Sequence, residues 1–114
     1  MKRLSRNEHN IMDVLWRTPG LTRAEITSAA KQMGTQTWSD RSCQEILCRL
    51  AEKGLIKPVG TKTTNRKMAR RWVPTVPKDE YYADMLAVEM TPDERARLIH
   101  RLELLADAAE VMKP

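Results

Sequence analysis

A mainly α fold with one small antiparallel β-wing is predicted by the 114-residue sequence, and three observations carry that prediction. Ser5-Arg6-Asn7-Glu8 and Thr22-Arg23-Ala24-Glu25 repeat one helix-start device, the capping box, at the head of two segments with helical apolar spacing. A third amphipathic segment, Ser39 to Leu50, runs directly into Glu52-Lys53-Gly54-Leu55-Ile56 and then a cationic loop bearing Gly, Thr and Asn. Three helices, a strand and a basic hairpin follow the order of a winged helix-turn-helix, here expected over residues 1–76, with a helical region over 77–114 behind it.

In the first helix Ser5 is placed to accept from the Glu8 amide, and Ile11, Met12, Leu15 and Trp16 recur on one stripe. Thr18-Pro19-Gly20 ends it, because the residue before proline avoids the α region. The second helix adds a hydrophobic staple, Leu21 to Ile26, and turns Ile26, Ala29, Ala30 and Met33 inward before stopping at Gly34. The third, expected over 40–53, gathers Cys43, Ile46, Leu47 and Leu50 on one face. Arg41, Gln44, Glu45, Cys48 and Glu52 fall on the other, with Ser42 and Arg49 flanking.

Leu55-Ile56-Lys57-Pro58-Val59 and Ala69-Arg70-Arg71-Trp72-Val73-Pro74 read as two short strands around the loop 60–67. A proline in each argues for edge positions and short pairing. Beyond Pro77, residues 79–88 form a helix bearing Tyr81, Tyr82, Met85 and Leu86. Thr91-Pro92-Asp93-Glu94 then starts a last helix with an N-cap, a proline at the first position and a capping-box glutamate. That helix carries an apolar stripe of Leu98, Ile99, Leu102, Leu105, Ala106 and Ala109. The stripe either packs on the first helix or meets its counterpart in a second chain, so Tyr82, Met85, Leu86 and the stripe are the expected homodimer interface.

Charge separates the two regions. Residues 1–74 hold 15 Lys/Arg against 6 Asp/Glu, a net +9, while residues 75–114 hold 5 against 9, a net −4, within an overall +5. A polyanion is drawn to the first region and repelled by the second. No acid lies between Glu52 and Asp79, so the hairpin's Lys62, Arg66 and Lys67 are expected to meet phosphates.

Other chemistries find little support. His9 and His100 are isolated, and the sequence has no CxxC pair, no Gly-rich phosphate loop and no paired carboxylates in an apolar setting. A non-enzyme without metal or cofactor is expected. Cys43 and Cys48 lie five residues apart, about 140° around a helix, and cannot bridge each other. With neither a signal-peptide pattern nor an apolar run of membrane-spanning length, a cytoplasmic protein is expected.

The expected partner is double-stranded DNA. Arg41 and Gln44 can donate to base-edge acceptors in the major groove, Glu45 can accept from a cytosine amino group, and Ser42 can serve a base or a phosphate, with Ser39 and Arg49 beside them. Lys62, Arg66, Lys67 and the start of the second helix at Thr22 and Arg23 would hold phosphates. A docking module for proteins and a non-specific architectural DNA-binding protein are the alternatives. Glu45 argues against the latter, because a non-specific binder gains little from a carboxylate aimed at a polyanion.

Leu4-Ser5-Arg6-Asn7-Glu8 through Ile11-Met12-Asp13-Val14-Leu15-Trp16, the Thr22-to-Ile26 helix start, and Ser39-Asp40-Arg41-Ser42 leading to Arg49-Leu50-Ala51-Glu52-Lys53-Gly54-Leu55-Ile56 resemble the penicillinase-repressor (BlaI/MecI/CopY) family over residues 4 to about 86. The resemblance implies a homodimeric transcriptional repressor with a winged-helix DNA-binding part and interlocking C-terminal helices. It places Arg41, Ser42, Gln44 and Glu45 where that family reads its operator. The sequence departs from the pattern in lacking the Cys-x-Cys elements of the copper-responsive members, and no sensor-triggered cleavage site maps onto Ala87-Val88-Glu89-Met90.

Overall fold

The computed structural model describes residues 3–64 and 66–111, without the side chains of Thr64 and of residues 109–111, so the side chain of the expected interface residue Ala109 lies outside what is described. The chain divides into two compact units, one up to Glu80 and one from Tyr81.

Both N-terminal capping boxes close. Helix α1 (Arg6–Arg17) starts with Ser5 Oγ accepting from the Glu8 amide at 3.2 Å while the Ser5 amide donates to Glu8 Oε1 at 2.9 Å. Its inward stripe buries Ile11, Met12, Val14 and Leu15 to 1% exposure or less. Trp16 sits at the edge of that stripe, where its indole N–H donates to the Val76 carbonyl at 3.0 Å. After Pro19 the chain turns at Gly20, whose φ of +85° lies in the left-handed region that residues with a side chain rarely adopt, while a Cβ there would only displace the end of the Arg71 side chain.

Strand β1 (Leu21–Thr22) leads directly into α2 (Arg23–Met33), where Thr22 and Glu25 form the second capping box. Gly34 ends α2 at φ +72°, with Gly34 N–H on Lys31 and Thr35 N–H on Ala30, the paired bonds of a Schellman motif. Ile26 and Ala30 are fully buried as expected; Ala29 and Met33 are half-buried, and Thr27 joins the core instead.

Helix α3 occupies Cys43–Glu52, shorter at its start than the expected 40–53. Residues 40–42 form a tighter turn, with the Ser42 amide on the Ser39 carbonyl at 3.1 Å and on Ser39 Oγ at 3.3 Å. The Ser39 side chain is thus the cap, and the turn it caps closes one residue sooner than an α-helical turn. Cys43, Ile46, Leu47 and Leu50 are buried, the inward face that the apolar spacing predicts.

The wing differs most from expectation. Strands β2 (Ile56–Thr64) and β3 (Lys67–Pro74) pair almost to the tip, so the eight-residue loop 60–67 is mostly strand. Pro58 does not shorten the pairing because β2 is an edge strand in the order β1-β3-β2, where a missing N–H faces no ladder. A one-residue register shift between Pro58 and Thr61, with Gly60 at φ +137°, lets the ladder resume through Thr61–Thr64. The third strand was not anticipated: Leu21 and Thr22 pair with Trp72 and Arg71, making β3 central.

In the other unit, α4 (Lys78–Glu89) runs on into residues where Tyr81 is buried, its ring edge-on to Tyr82 at 5.5 Å. The expected capping box opens α5 (Pro92–Val111), with Thr91 Oγ1 and Glu94 Oε1 exchanging bonds with each other's amides. No described helix is long and apolar enough to cross a membrane.

Candidate nucleic-acid interface

One side of α3 is committed to the core, which leaves Gln44, Glu45, Cys48 and Arg49 on the solvent side and Arg41 exposed in the turn before them. The loop that delivers this helix is held at several points. Trp38 is buried, and its indole N–H donates to Thr27 Oγ1 at 3.3 Å; Thr27 in turn lies 3.6 Å from Cys43 Sγ, joining α2, the loop and the first residue of α3. Asn10 on α1 donates to the Thr35 carbonyl and to Thr37 Oγ1, and Gln36 donates to the Trp38 carbonyl and to Asp40. A helix whose leading loop is held from both α1 and α2 presents its side chains in one fixed orientation. Neither Trp38 nor Asn10 lies on an apolar stripe or in a charged cluster, so these anchoring roles leave no signal in the local sequence.

On the outer face, Arg49 and Glu45 form an i,i+4 ion pair at 2.7 Å, with side chains 58% and 66% exposed. At that exposure the pair is screened and easily exchanged for other partners. Arg41 has no carboxylate partner among the described residues. Ser39 and Ser42 are less free than expected: their hydroxyls lie 3.1 Å apart, and Ser42 Oγ donates to the Ser39 carbonyl at 3.0 Å. Their first task is to cap the turn.

The start of α2 also sorts into two roles. Thr22 is 4% exposed and its hydroxyl accepts from the Glu25 amide, so it orders the helix N-terminus, and the neighbouring Arg23 is the exposed cation there. Both cysteines are free thiols: burial pushes the Cys43 thiol above its ordinary range, whereas Cys48 is exposed.

Charge on the wing is less uniform than the local sequence implies. Lys62 Nζ lies 2.7 Å from Glu25 Oε2, so an acid 37 residues upstream neutralises one expected phosphate contact. The Lys62 hydrogen bond, followed by that of the Thr22 amide, holds the Glu25 carboxyl below its ordinary value. Arg66, at φ +65° in the tip turn, and Lys67 remain exposed, and Arg70 joins them as a wing cation outside the expected set. Acids elsewhere in this unit are also paired: Glu8 with Lys53, Asp13 with Lys78 and Asp40 with Lys31. Pairing therefore concentrates the unit's positive excess on side chains that include Arg23, Arg41, Arg66, Lys67 and Arg70.

In the C-terminal unit, Tyr82, Met85, Leu86 and Leu98 are half-buried. Ile99, Leu102 and Leu105 are 57%, 54% and 60% exposed, and Ala106 is exposed too. Among the described residues no cluster of His, Cys, Asp and Glu is placed to hold a metal ion.

A family model described as penicillinase repressor matches residues 4–91. No curated protein matches the chain in sequence. Among solved structures, Bacillus subtilis PadR in complex with operator DNA is 18% identical, over 94% of this chain and 79% of that one, with a TM-score of 0.50. Streptococcus pneumoniae FabT in complex with DNA is 17% identical over 98% and 79%, TM-score 0.44. The zinc-responsive MarR family member ZitR of Lactococcus lactis is 21% identical over 95% and 77%, TM-score 0.45. At such identity the PadR likeness supports the winged-helix fold and nothing finer. The family match spans the capped helices α1 and α2, α3 and the wing together, and on it the chain belongs to the penicillinase repressor family of DNA-binding transcriptional regulators.

Proposed function

We propose that the protein is a homodimeric repressor that binds an inverted-repeat operator, with α3 in the major groove and the wing on the flanking backbone. The observation that carries this reading is the outer face of α3: an uncompensated Arg41, Gln44 and a loosely held Glu45–Arg49 pair on a helix whose opposite face is buried. Arg41 and Gln44 donate to purine acceptors, and Glu45, on releasing Arg49, accepts from a cytosine amino group. Arg23, Arg66 and Lys67 neutralise phosphates and set register. The exposed stripe of Ile99, Leu102 and Leu105 closes the dimer, putting two reading helices about 34–36 Å, or a multiple of that, apart along DNA. The protein acts in the cytoplasm, without catalysis and without a cofactor.

Selection of bound DNA from a random pool by the purified protein, with the enriched site titrated at two salt concentrations, tests the reading. An enriched inverted repeat whose affinity falls steeply with salt supports it, and placing that site over a reporter promoter with reduced expression supports repression. Salt-sensitive binding without an enriched motif would replace it by an architectural role, and no binding at low salt by a protein-docking role.

A further inference from the structure

Met68 is 72% exposed, the most open large apolar side chain among the described residues of the N-terminal unit; Val59 follows at 46%. It stands opposite Thr63, one rung from the tip pair of Thr64 and Lys67. Arg66 and Lys67 precede it and Arg70 follows, all exposed. Nothing in the fold uses an apolar group there, since a threonine or lysine would pair across the strands equally well at a wet hairpin end. What the position offers is a long, flexible and polarisable side chain on a hairpin end that also carries the exposed cations Arg66, Lys67 and Arg70.

A surface complementary to that arrangement has anionic walls and an apolar, stackable interior. The minor groove of DNA has both, with phosphates along each edge and base steps between them. We propose that Met68 is an apolar wedge that enters the minor groove beside each half-site and partly unstacks one base step. Arg66, Lys67 and Arg70 bind the phosphates on either side. The wing then adds sequence preference at a position the reading helix does not touch, favouring a flexible pyrimidine–purine step that unstacks at low cost. This rests on the reading that the wing meets DNA.

The test uses the full-length protein and the operator it enriches, with the flanking steps changed to TA or to GC and 2-aminopurine placed at the step in a parallel duplex. Wild type should prefer the TA flank by about five- to tenfold, the scale of one base pair's discrimination, and 2-aminopurine should brighten on binding. Met68→Ala should bring the preference below about twofold and abolish the brightening while leaving discrimination at the central operator bases intact. Met68→Leu should restore both, because it returns an apolar wedge of similar size. An unchanged melting temperature for both variants is expected of so exposed a site. A wild-type protein without flank preference, or a Met68→Ala variant that keeps preference and brightening, would overturn the proposal while the operator reading stands. A wild-type protein that enriches no operator would overturn both.

Discussion

The Glu25 carboxylate serves two elements at once: Oε1 accepts from the Thr22 amide at 3.0 Å, and Oε2 from the Lys62 ammonium at 2.7 Å. The first bond caps α2; the second ties the wing to that helix start. A DNA phosphate arriving beside Lys62 therefore meets a cation already neutralised and a carboxylate close by.

Glu25→Gln should separate these roles, since a glutamine still completes the capping box while giving up the ion pair. With side chains 52% and 34% exposed, the pair contributes about 1 kcal/mol at most, so the melting temperature should change little. Affinity for DNA should rise, and its log–log salt slope should steepen by about one unit as Lys62 becomes available to a phosphate. Salt-titrated binding of the variant checks this; an unchanged slope would mean that Lys62 stays off the backbone even when released.

Glu8 presents a different balance. Its side chain is 6% exposed, and Lys53 Nζ lies 2.8 Å from Oε1 and 2.7 Å from Oε2. Burial pushes the Glu8 carboxyl up, but the bonds from Lys53 and Ser5 outweigh it and hold the group below its ordinary value of 4.5. A carboxyl depressed in the folded state adds stability at pH above its unfolded value and loses it as pH falls through the folded one, so the contributions of Glu8 and Glu25 fade below about pH 4.5. Lys53→Met should cost about 1–3 kcal/mol at neutral pH, less than a fully buried pair because Lys53 is 22% exposed. The same variant should flatten the acid limb of the stability curve. Urea unfolding at pH 7 and at pH 3.5 measures both effects, and parallel losses at the two pH values would show that the pair is not their source.

Much of this architecture is legible locally. Ser5/Glu8, Thr22/Glu25 and Thr91/Glu94 belong to four-residue motifs whose bonding partners lie within one turn, and each forms as its spacing predicts. The inward face of α3 likewise follows from periodicity, because Cys43, Ile46, Leu47 and Leu50 need only a helix to share a side. Features set by distant partners are not visible in this way. The Lys62–Glu25 pair joins residues 37 apart, and the acid-free run around the wing suggests a uniformly cationic tip until the fold brings Glu25 to it. The length of the wing was obscured by Pro58, whose harm depends on whether its strand is central or at the edge, a fact decided by where β1 joins the sheet.

On the outer face of α3, Glu45→Ala should relax base preference more than it weakens binding. On the proposed reading the carboxylate would repel phosphates generally and reward one base specifically, so its loss would remove both the repulsion and the discrimination. Arg49, freed from its 2.7 Å partner, adds a cation to the face. Repeating the random-pool selection with the variant should show one position of each half-site becoming degenerate at similar total affinity. Unchanged preference would remove Glu45 from the set of base-reading residues.

The proposed dimer would join through α5, where Leu102 is 54% exposed between Ile99 and Leu105. A leucine that open contributes little to the fold of a single chain, so Leu102→Glu should leave the chain folded. In a dimer interface the same change buries an unpaired charge, which association cannot tolerate at micromolar concentration. Sedimentation should find wild type as a dimer and the variant as a monomer with unaltered helical circular dichroism. Two linked half-sites add their binding energies only when the reading helices are joined, so the variant should also lose its preference for the full operator over a single half-site. A monomeric wild-type protein, or a variant that remains dimeric, would place the contact between chains elsewhere than on this stripe.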